Sequence, residues 1–143
     1  MANIRDCKII EFARFHDSRG AVTPIEATRD IPFDIKRVYY LYDIPSGSRR
    51  AGHAHVVLQQ VLIAISGSFK VHVDDGTKRK AYELSSPRQG LYITPMIWLD
   101  IDHFSAGAVC AVLASQLYDE EDYIRKYEDF TQFVRRSDEG SFL

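Results

Sequence analysis

The sequence predicts an all-β domain, a sandwich or barrel, followed by short C-terminal helices. Short apolar runs rich in Val, Ile, Tyr and Leu recur about every ten residues, separated by turn-forming residues. A chain of 143 residues that is 45% apolar suffices for one hydrophobic core and is short for two. After Ser115, helical spacing replaces alternation. We therefore expect a single domain over 1–143, with a β core over 1–116 and a helical tail over 119–136.

The predicted strands are runs in which β-branched and aromatic residues dominate and several alternate with polar residues. They cover residues 36–43, 55–65, 69–74, 80–84, 90–95, 96–101 and 108–115. Gly, Pro, Asp and Ser mark the turns between these runs, as at HDSRG (16–20). The segment DDGT (74–77) lies between two alternating runs and predicts a β-hairpin.

The segment 119–136 has the pattern of an amphipathic helix. Tyr123, Tyr127, Phe130 and Val134 recur at helical spacing, with acidic residues at the start and arginines at the end. We interpret this aromatic stripe as a face that packs on the outside of the β core.

Composition excludes several classes of partner. The net charge of −2 gives no basis for nucleic-acid or membrane-surface binding, although a local basic site for a small anion is compatible with it. The charged N-terminus does not resemble a signal peptide, and no stretch approaches the roughly 20 apolar residues of a membrane span. We expect a cytoplasmic protein in which Cys7 and Cys110 are buried thiols and not a disulfide.

The segment RAGHAHVVLQQ (50–60) places two histidines one residue apart. Residues i and i+2 of a strand project from the same face, so the rings of His53 and His55 are expected within a few ångströms of each other. If that face lines a barrel, both rings reach its interior. In that case the two histidines are metal ligands or acid–base groups. If the face does not line a barrel, they are hydrated residues on a strand edge.

The surrounding spacing favours proton transfer over metal binding. GHAH (52–55), Gln60 and Gly67 follow the first motif of cupins, whose second motif would fall at 90–102. A metal-binding cupin expects glutamate near position 60 and histidine near 99–102, whereas this chain has Gln60 and Leu99. Two histidines without a reliable third ligand make a weak metal site. Two imidazoles on one face, each titrating near neutral pH, suit isomerisation through an enediol.

A family resemblance runs nearly from end to end of the chain. The segments that carry it are DSRG (17–20), IPFDIKRVYYLYD (31–43), GHAH (52–55), VDDG (73–76), SSPRQGLYITPMIW (85–98), VLAS (112–115) and YDEEDYIRKYEDF (118–130). On these segments the chain resembles the dTDP-4-keto-6-deoxyglucose 3,4-ketoisomerases, small cupin enzymes of deoxysugar biosynthesis. The resemblance implies a jelly-roll cupin, a homodimer, a thymidine diphosphate-linked 4-keto sugar as substrate, and no metal or organic cofactor. The carbonyl would move from C4 to C3, before amination, in making a lipopolysaccharide or S-layer glycan.

The resemblance also implies roles for five residues. His53 and His55 fall on the family's paired active-site histidines, with His53 as the principal base at C3 and His55 delivering or relaying a proton at C4 or its oxygen. Tyr39 would be a third catalytic residue, and Arg37 and Arg50 would bind the substrate, since a guanidinium suits bidentate contact with phosphate. The plainer alternatives are core packing for Tyr39, a surface ion pair for Arg37 and a solvated loop for Arg50.

One departure from the family pattern keeps other functions open. The family often has histidine directly after a tryptophan in this region, and here Leu99 follows Trp98. Either His53 and His55 suffice, or another group substitutes, with Asp100, Asp102 and His103 as the candidates. The alternatives are a metal-free deoxysugar 3,5-epimerase, a non-catalytic sugar-nucleotide-binding cupin and, last, a metal-dependent dioxygenase.

Overall fold

The computed structural model describes the backbone of residues 2–140 and the side chains of residues 2–137. The strands β1 to β12 cover, in order, Lys8–Glu11, Phe15–Asp17, Gly20–Val22, Arg37–Leu41, Arg50–His55, Gln60–Ser66, Phe69–Asp74, Arg79–Leu84, Gln89–Ile93, Trp98–Asp102, Val109–Ala114 and Tyr123–Ile124. The helix α1 covers Tyr127–Gly140, and short 3-10 helices cover Ile4–Asp6 and Glu120–Asp122. No helix in this part of the chain combines the length and apolarity needed to cross a membrane.

Ten of the strands form two five-stranded antiparallel sheets. One sheet has the order β1-β9-β6-β11-β4 and the other β12-β5-β10-β7-β8, while β2 and β3 form a separate exposed hairpin. Consecutive strands such as β5 and β6 lie in different sheets, so the chain crosses repeatedly between the two layers. This sandwich confirms the predicted all-β fold.

The core lies between the two sheets. Alternation along each strand directs one set of side chains inward, among them Leu62 and Val112 from the first sheet and Val71 and Leu99 from the second, all at most 2% exposed. Each such side chain contributes about 1.5–3 kcal/mol by leaving water. Cys7 and Cys110 belong to the same core as free buried thiols, as predicted.

The predicted strand over 55–65 is interrupted between β5 and β6. The backbone N–H groups of Val57 and Leu58 donate to the carboxylate of Asp122, at 2.8 and 3.2 Å, and that of Gln59 donates to Oγ of Ser115 at 2.8 Å. Because side chains satisfy these donors, the segment needs no neighbouring strand. The interruption ties the end of β5 to the C-terminal tail.

The helix predicted over 119–136 begins later than expected, at Tyr127. Tyr127 and Phe130 do pack against Trp98, and Val134 joins the same cluster, as the helical spacing predicts. Tyr123 does not belong to that face: it lies in β12, paired directly opposite His55 of β5. The interpretation of Tyr123 as a packing residue of the helix was therefore wrong.

The hairpin predicted at DDGT is confirmed between β7 and β8, where the N–H of Asp75 donates to the carbonyl of Lys78 at 3.1 Å. The turn predicted at HDSRG is confirmed between β2 and β3. The strands β1, β2 and β3 themselves were not predicted, because charged residues interrupt each short apolar run.

Candidate active site

A cavity of about 380 Å³ is lined by strands of both sheets and by the tail. β4, β5, β6, β10 and β11 contribute to its wall, and Leu62, Leu99 and Val112 extend the hydrophobic core to its floor. A larger depression of about 550 Å³ lies on the outer face of the second sheet. The inner cavity is the better candidate because buried polar atoms without partners gather around it.

The predicted histidine pair lies at this cavity. The ring centroids of His53 and His55 are 4.9 Å apart, with their planes at 80°. His53 lines the cavity, whereas His55 is 2% exposed and lies behind the wall. Within the described residues, both ring nitrogens of His53 and Nε2 of His55 are buried and have no hydrogen-bond partner. Such atoms are costly to leave unpaired, so a bound ligand is expected to satisfy them.

Asp122 orients His55. Nδ1 of His55 lies 3.2 Å from Oδ2 of Asp122, and the same carboxylate accepts the N–H groups of Val57 and Leu58. A carboxylate at Nδ1 keeps the proton on that nitrogen, so Nε2 is left as the proton acceptor. No pattern in the sequence singles out Asp122, because it lies in an acidic run that we interpreted as the start of a helix.

Both imidazoles are neutral near pH 7. Burial, together with the charges of His55 and Arg125, lowers the pKa of His53 to about 4. Burial also lowers the pKa of His55, although the hydrogen bond and charge of Asp122 act in the opposite direction. A neutral imidazole can accept a proton, which is the first requirement of a general base.

Two tyrosines complete this end of the cavity. Tyr39 lines it as predicted, and burial raises the pKa of its phenol to about 12, so the hydroxyl remains a donor at neutral pH. Tyr123 also lines it, with its ring centroid 4.3 Å from that of His55 and 5.0 Å from that of His53. Sequence reasoning missed Tyr123, although its place in the YDEEDY segment could have drawn attention to it.

Three arginines make the cavity attractive to anions. Arg37 and Arg50 line it as predicted, and Arg125 joins them from the tail. The guanidinium of Arg37 lies over the ring of Tyr39, 4.9 Å from the centroid, and its Nε and Nη2 are buried with no partner among the described residues. Arg125 is paired with Glu120, with N–O distances of 2.5 and 2.7 Å. A buried guanidinium without a carboxylate is best stabilised by an anionic ligand.

Leu99 occupies the position at which the family often has histidine. It is 2% exposed, lines the cavity and pairs with His53 across β10 and β5. None of its proposed substitutes lines the cavity. Asp100 accepts a hydrogen bond from Nε1 of Trp98, and Asp102 bonds to His72 and His103. These three residues therefore do not replace a histidine in the cavity.

Comparison with known proteins assigns the family. The chain matches the family model described as FdtA, WxcM-like, C-terminal, over residues 5–135. It is 44% identical over 129 residues to a TDP-4-oxo-6-deoxy-alpha-D-glucose-3,4-oxoisomerase of Aneurinibacillus thermoaerophilus, a match that covers 90% of this chain and 93% of the relative. The chain belongs to the TDP-sugar 3,4-ketoisomerase family.

Solved structures of this family share the fold. The 3,4-ketoisomerase QdtA from Thermoanaerobacterium thermosaccharolyticum, in complex with TDP, is 41% identical, with a TM-score of 0.91 over 94% of this chain and 98% of that one. A mutant of QdtA in complex with TDP-4-keto-6-deoxyglucose is 42% identical, with a TM-score of 0.89 over 91% of this chain and 94% of that one. The predicted cupin jelly roll is therefore confirmed for this family member.

Proposed function

We propose that this protein moves the carbonyl of dTDP-4-keto-6-deoxyglucose from C4 to C3, giving a dTDP-3-keto-6-deoxyhexose. The observation that carries the proposal is the pair of neutral imidazoles, His53 and His55, whose unpartnered ring nitrogens are buried at the cavity. The relatives support the substrate, because one carries this reaction in its name and one binds the 4-keto sugar nucleotide.

The reaction needs two proton transfers at adjacent carbons. The C3 hydrogen is acidic because the neighbouring C4 carbonyl accepts the electron pair. His53 removes this proton, the C3–C4 double bond forms, and protonation of the C4 oxygen gives the enediol. The C3 hydroxyl then loses its proton as the C3 carbonyl forms, and C4 gains a proton. His55 delivers or relays the proton to C4 or its oxygen, so the atoms balance without a redox partner.

The different surroundings of the two histidines support these separate roles. His53 lines the cavity and is the group that can reach a sugar carbon. His55 lies behind it with Nδ1 on Asp122, an arrangement that stabilises a transient imidazolium. His55 therefore suits transfer of a proton to or from the site, and His53 suits direct abstraction.

Tyr39 and the arginines act on the oxygens of the substrate. The phenol of Tyr39 remains protonated and can donate a hydrogen bond to the oxyanion that develops at C4. Arg37 and Arg50 are proposed to bind the diphosphate, because a guanidinium matches phosphate oxygens in a bidentate manner.

The proposal is tested by identifying the product. The protein is incubated with dTDP-4-keto-6-deoxyglucose, and the product is analysed by NMR after coupling to a 3-aminotransferase. A 3-amino sugar nucleotide supports the proposal. In deuterated water, exchange at both C3 and C5 would instead indicate the 3,5-epimerase alternative, and no exchange would indicate a non-catalytic binding protein.

We further propose a metal-independent homodimer that acts in the cytoplasm and supplies a deoxysugar for a lipopolysaccharide or S-layer glycan. The dimer is supported by an apolar surface, because Val38 and Tyr40 are exposed on the edge strand β4 and Tyr42 is exposed directly after it. Light scattering on the purified protein tests the dimer, and turnover after removal of metal with a chelator tests metal independence.

A further inference from the structure

Three side chains of the types that can bind metal ions meet on the outer face of the second sheet. Nε2 of His72 and Nδ1 of His103 lie 2.7 and 2.8 Å from the same oxygen, Oδ1 of Asp102. The donor atoms of all three residues lie within 4.8 Å of one another. None of these side chains lines the candidate active site.

The local backbone explains why the three side chains converge. His72 in β7 and Asp102 in β10 project from the same outer face of adjacent, antiparallel strands. His103 follows Asp102 directly and would point to the opposite face if the strand continued. Its φ of 55° turns the chain instead, which brings the imidazole back to the carboxylate.

We propose that His72, Asp102 and His103 form a binding site for a divalent transition-metal ion of the zinc class. Two imidazoles and a carboxylate are a common ligand set for such ions, with water in the remaining positions. Ligand atoms on one zinc ion lie about 3.3 Å apart, so the present N–O distances need to widen by only about half an ångström.

The charge and exposure of the cluster agree with this assignment. The carboxylate of Asp102 supplies the negative charge of the ligand set, and the imidazoles of His72 and His103 flank it. The side chains of His72 and His103 are 38% and 70% exposed, respectively, so an ion and its waters have a path from solvent. Nη2 of Arg49 lies 3.6 Å from the other carboxylate oxygen, and its positive charge is expected to weaken the binding of a cation, so the bound ion should exchange with solvent.

A bound ion would connect β7 to the turn after β10. Because binding requires the folded arrangement of residues from two strands, it stabilises the native state. Leu99 and Ile101, on the opposite face of β10, line the candidate active site. The ion would therefore stabilise the sheet on the face opposite the cavity, and it takes no part in the proposed proton transfers.

The test is titration of the full-length, chelator-treated protein with ZnCl₂ in a calorimeter, with melting curves in parallel. We expect one zinc ion per chain and a zinc-dependent rise in Tm. His72→Ala and His103→Ala should each weaken zinc binding by at least about tenfold and remove most of that rise. Asp102→Asn preserves the size of the side chain and should weaken binding similarly. His16→Ala, which removes an exposed histidine on the β2–β3 hairpin, is the matched control and should bind zinc normally.

Three results would overturn the proposal: no zinc binding to the wild-type protein, unchanged affinity in the three cluster variants, or loss of binding in His53→Asn instead. The last result would move the metal to the candidate active site. The titration needs no sugar nucleotide, so its outcome is independent of the proposed isomerase activity.

Discussion

Asp122 Oδ2 lies 3.2 Å from Nδ1 of His55, and both side chains are almost completely buried. The two residues are 67 positions apart, so the contact exists only because the tail returns to pair with β5. The same carboxylate also caps the break between β5 and β6. One side chain therefore sets both the tautomer of a candidate catalytic histidine and the local path of the chain.

We expect Asp122→Asn to lower kcat by at least about tenfold, because the amide no longer fixes the tautomer of His55 or stabilises its imidazolium. The variant also loses the charged carboxylate that accepts the N–H groups of Val57 and Leu58, which should lower the free energy of unfolding by about 1–3 kcal/mol. Steady-state kinetics and urea unfolding measure the two effects.

Asp75→Asn is the matched control for this loss of stability. Asp75 is also buried and accepts three backbone N–H groups, from Ile4, Thr77 and Lys78, but it does not line the cavity. We expect Asp75→Asn to lose similar stability with kcat unchanged. Equal kcat in the two variants would show that Asp122 is structural alone.

The lowered histidine pKa values predict a loss of stability in acid. An unfolded histidine titrates near 6.5, whereas the pKa of folded His53 is about 4, so between these values the unfolded state binds more protons. The free energy of unfolding should therefore fall as pH drops from about 6.5 to about 4. Urea unfolding across this range should show a shallower fall in His53→Asn, and parallel curves for the two proteins would contradict the assignment.

Arg37→Met should weaken TDP binding and stabilise the free protein at once. Loss of a phosphate contact is expected to cost at least about tenfold in affinity, or about 1.4 kcal/mol. Removing a buried guanidinium that lacks a partner among the described residues should raise Tm. Calorimetric titration with TDP and melting curves test both effects.

Arg29→Met is the control for the arginine experiment, because Arg29 is exposed and pairs with Glu26 at the surface. It should bind TDP as the wild type does. Unchanged TDP affinity in Arg37→Met would remove Arg37 from the binding site.

Tyr39→Phe should lower kcat roughly 10²-fold while TDP affinity is preserved, because the ring remains and only the donor to the C4 oxygen is lost. Tyr92→Phe is the control, since the Tyr92 hydroxyl donates to Gln59 at 2.7 Å and does not line the cavity. The Tyr92 variant should keep its kcat. If Tyr39→Phe keeps the kcat of the wild type, the hydroxyl is not needed for the reaction and the role of Tyr39 is core packing.

The sequence predicts those parts of the fold that depend on local pattern. Alternation in β7 and β8 and the turn residues at DDGT specify that hairpin without distant partners. The same alternation places His53 and His55 on one face, and their rings do lie together. Arg37 and Tyr39 reach the cavity by the same rule, because both lie on the inward face of β4.

What the sequence did not predict depends on contacts between distant segments. Tyr123 fits a helical stripe with Tyr127, yet pairing with β5 holds it in an extended conformation. The break after His55 occurs because Asp122 supplies acceptors from far along the chain. Helical spacing and strand pairing compete for the same residues here, and only tertiary contacts decide between them.

The most direct measurement of the central claim is hydrogen exchange at C3 of dTDP-4-keto-6-deoxyglucose in deuterated water, followed by NMR for the wild type and for His53→Asn. We expect rapid loss of the C3 proton signal with the wild type and a rate at least about 10²-fold lower with the variant, at equal TDP affinity. Exchange at the wild-type rate in His53→Asn, or none in the wild type, would contradict proton abstraction by His53.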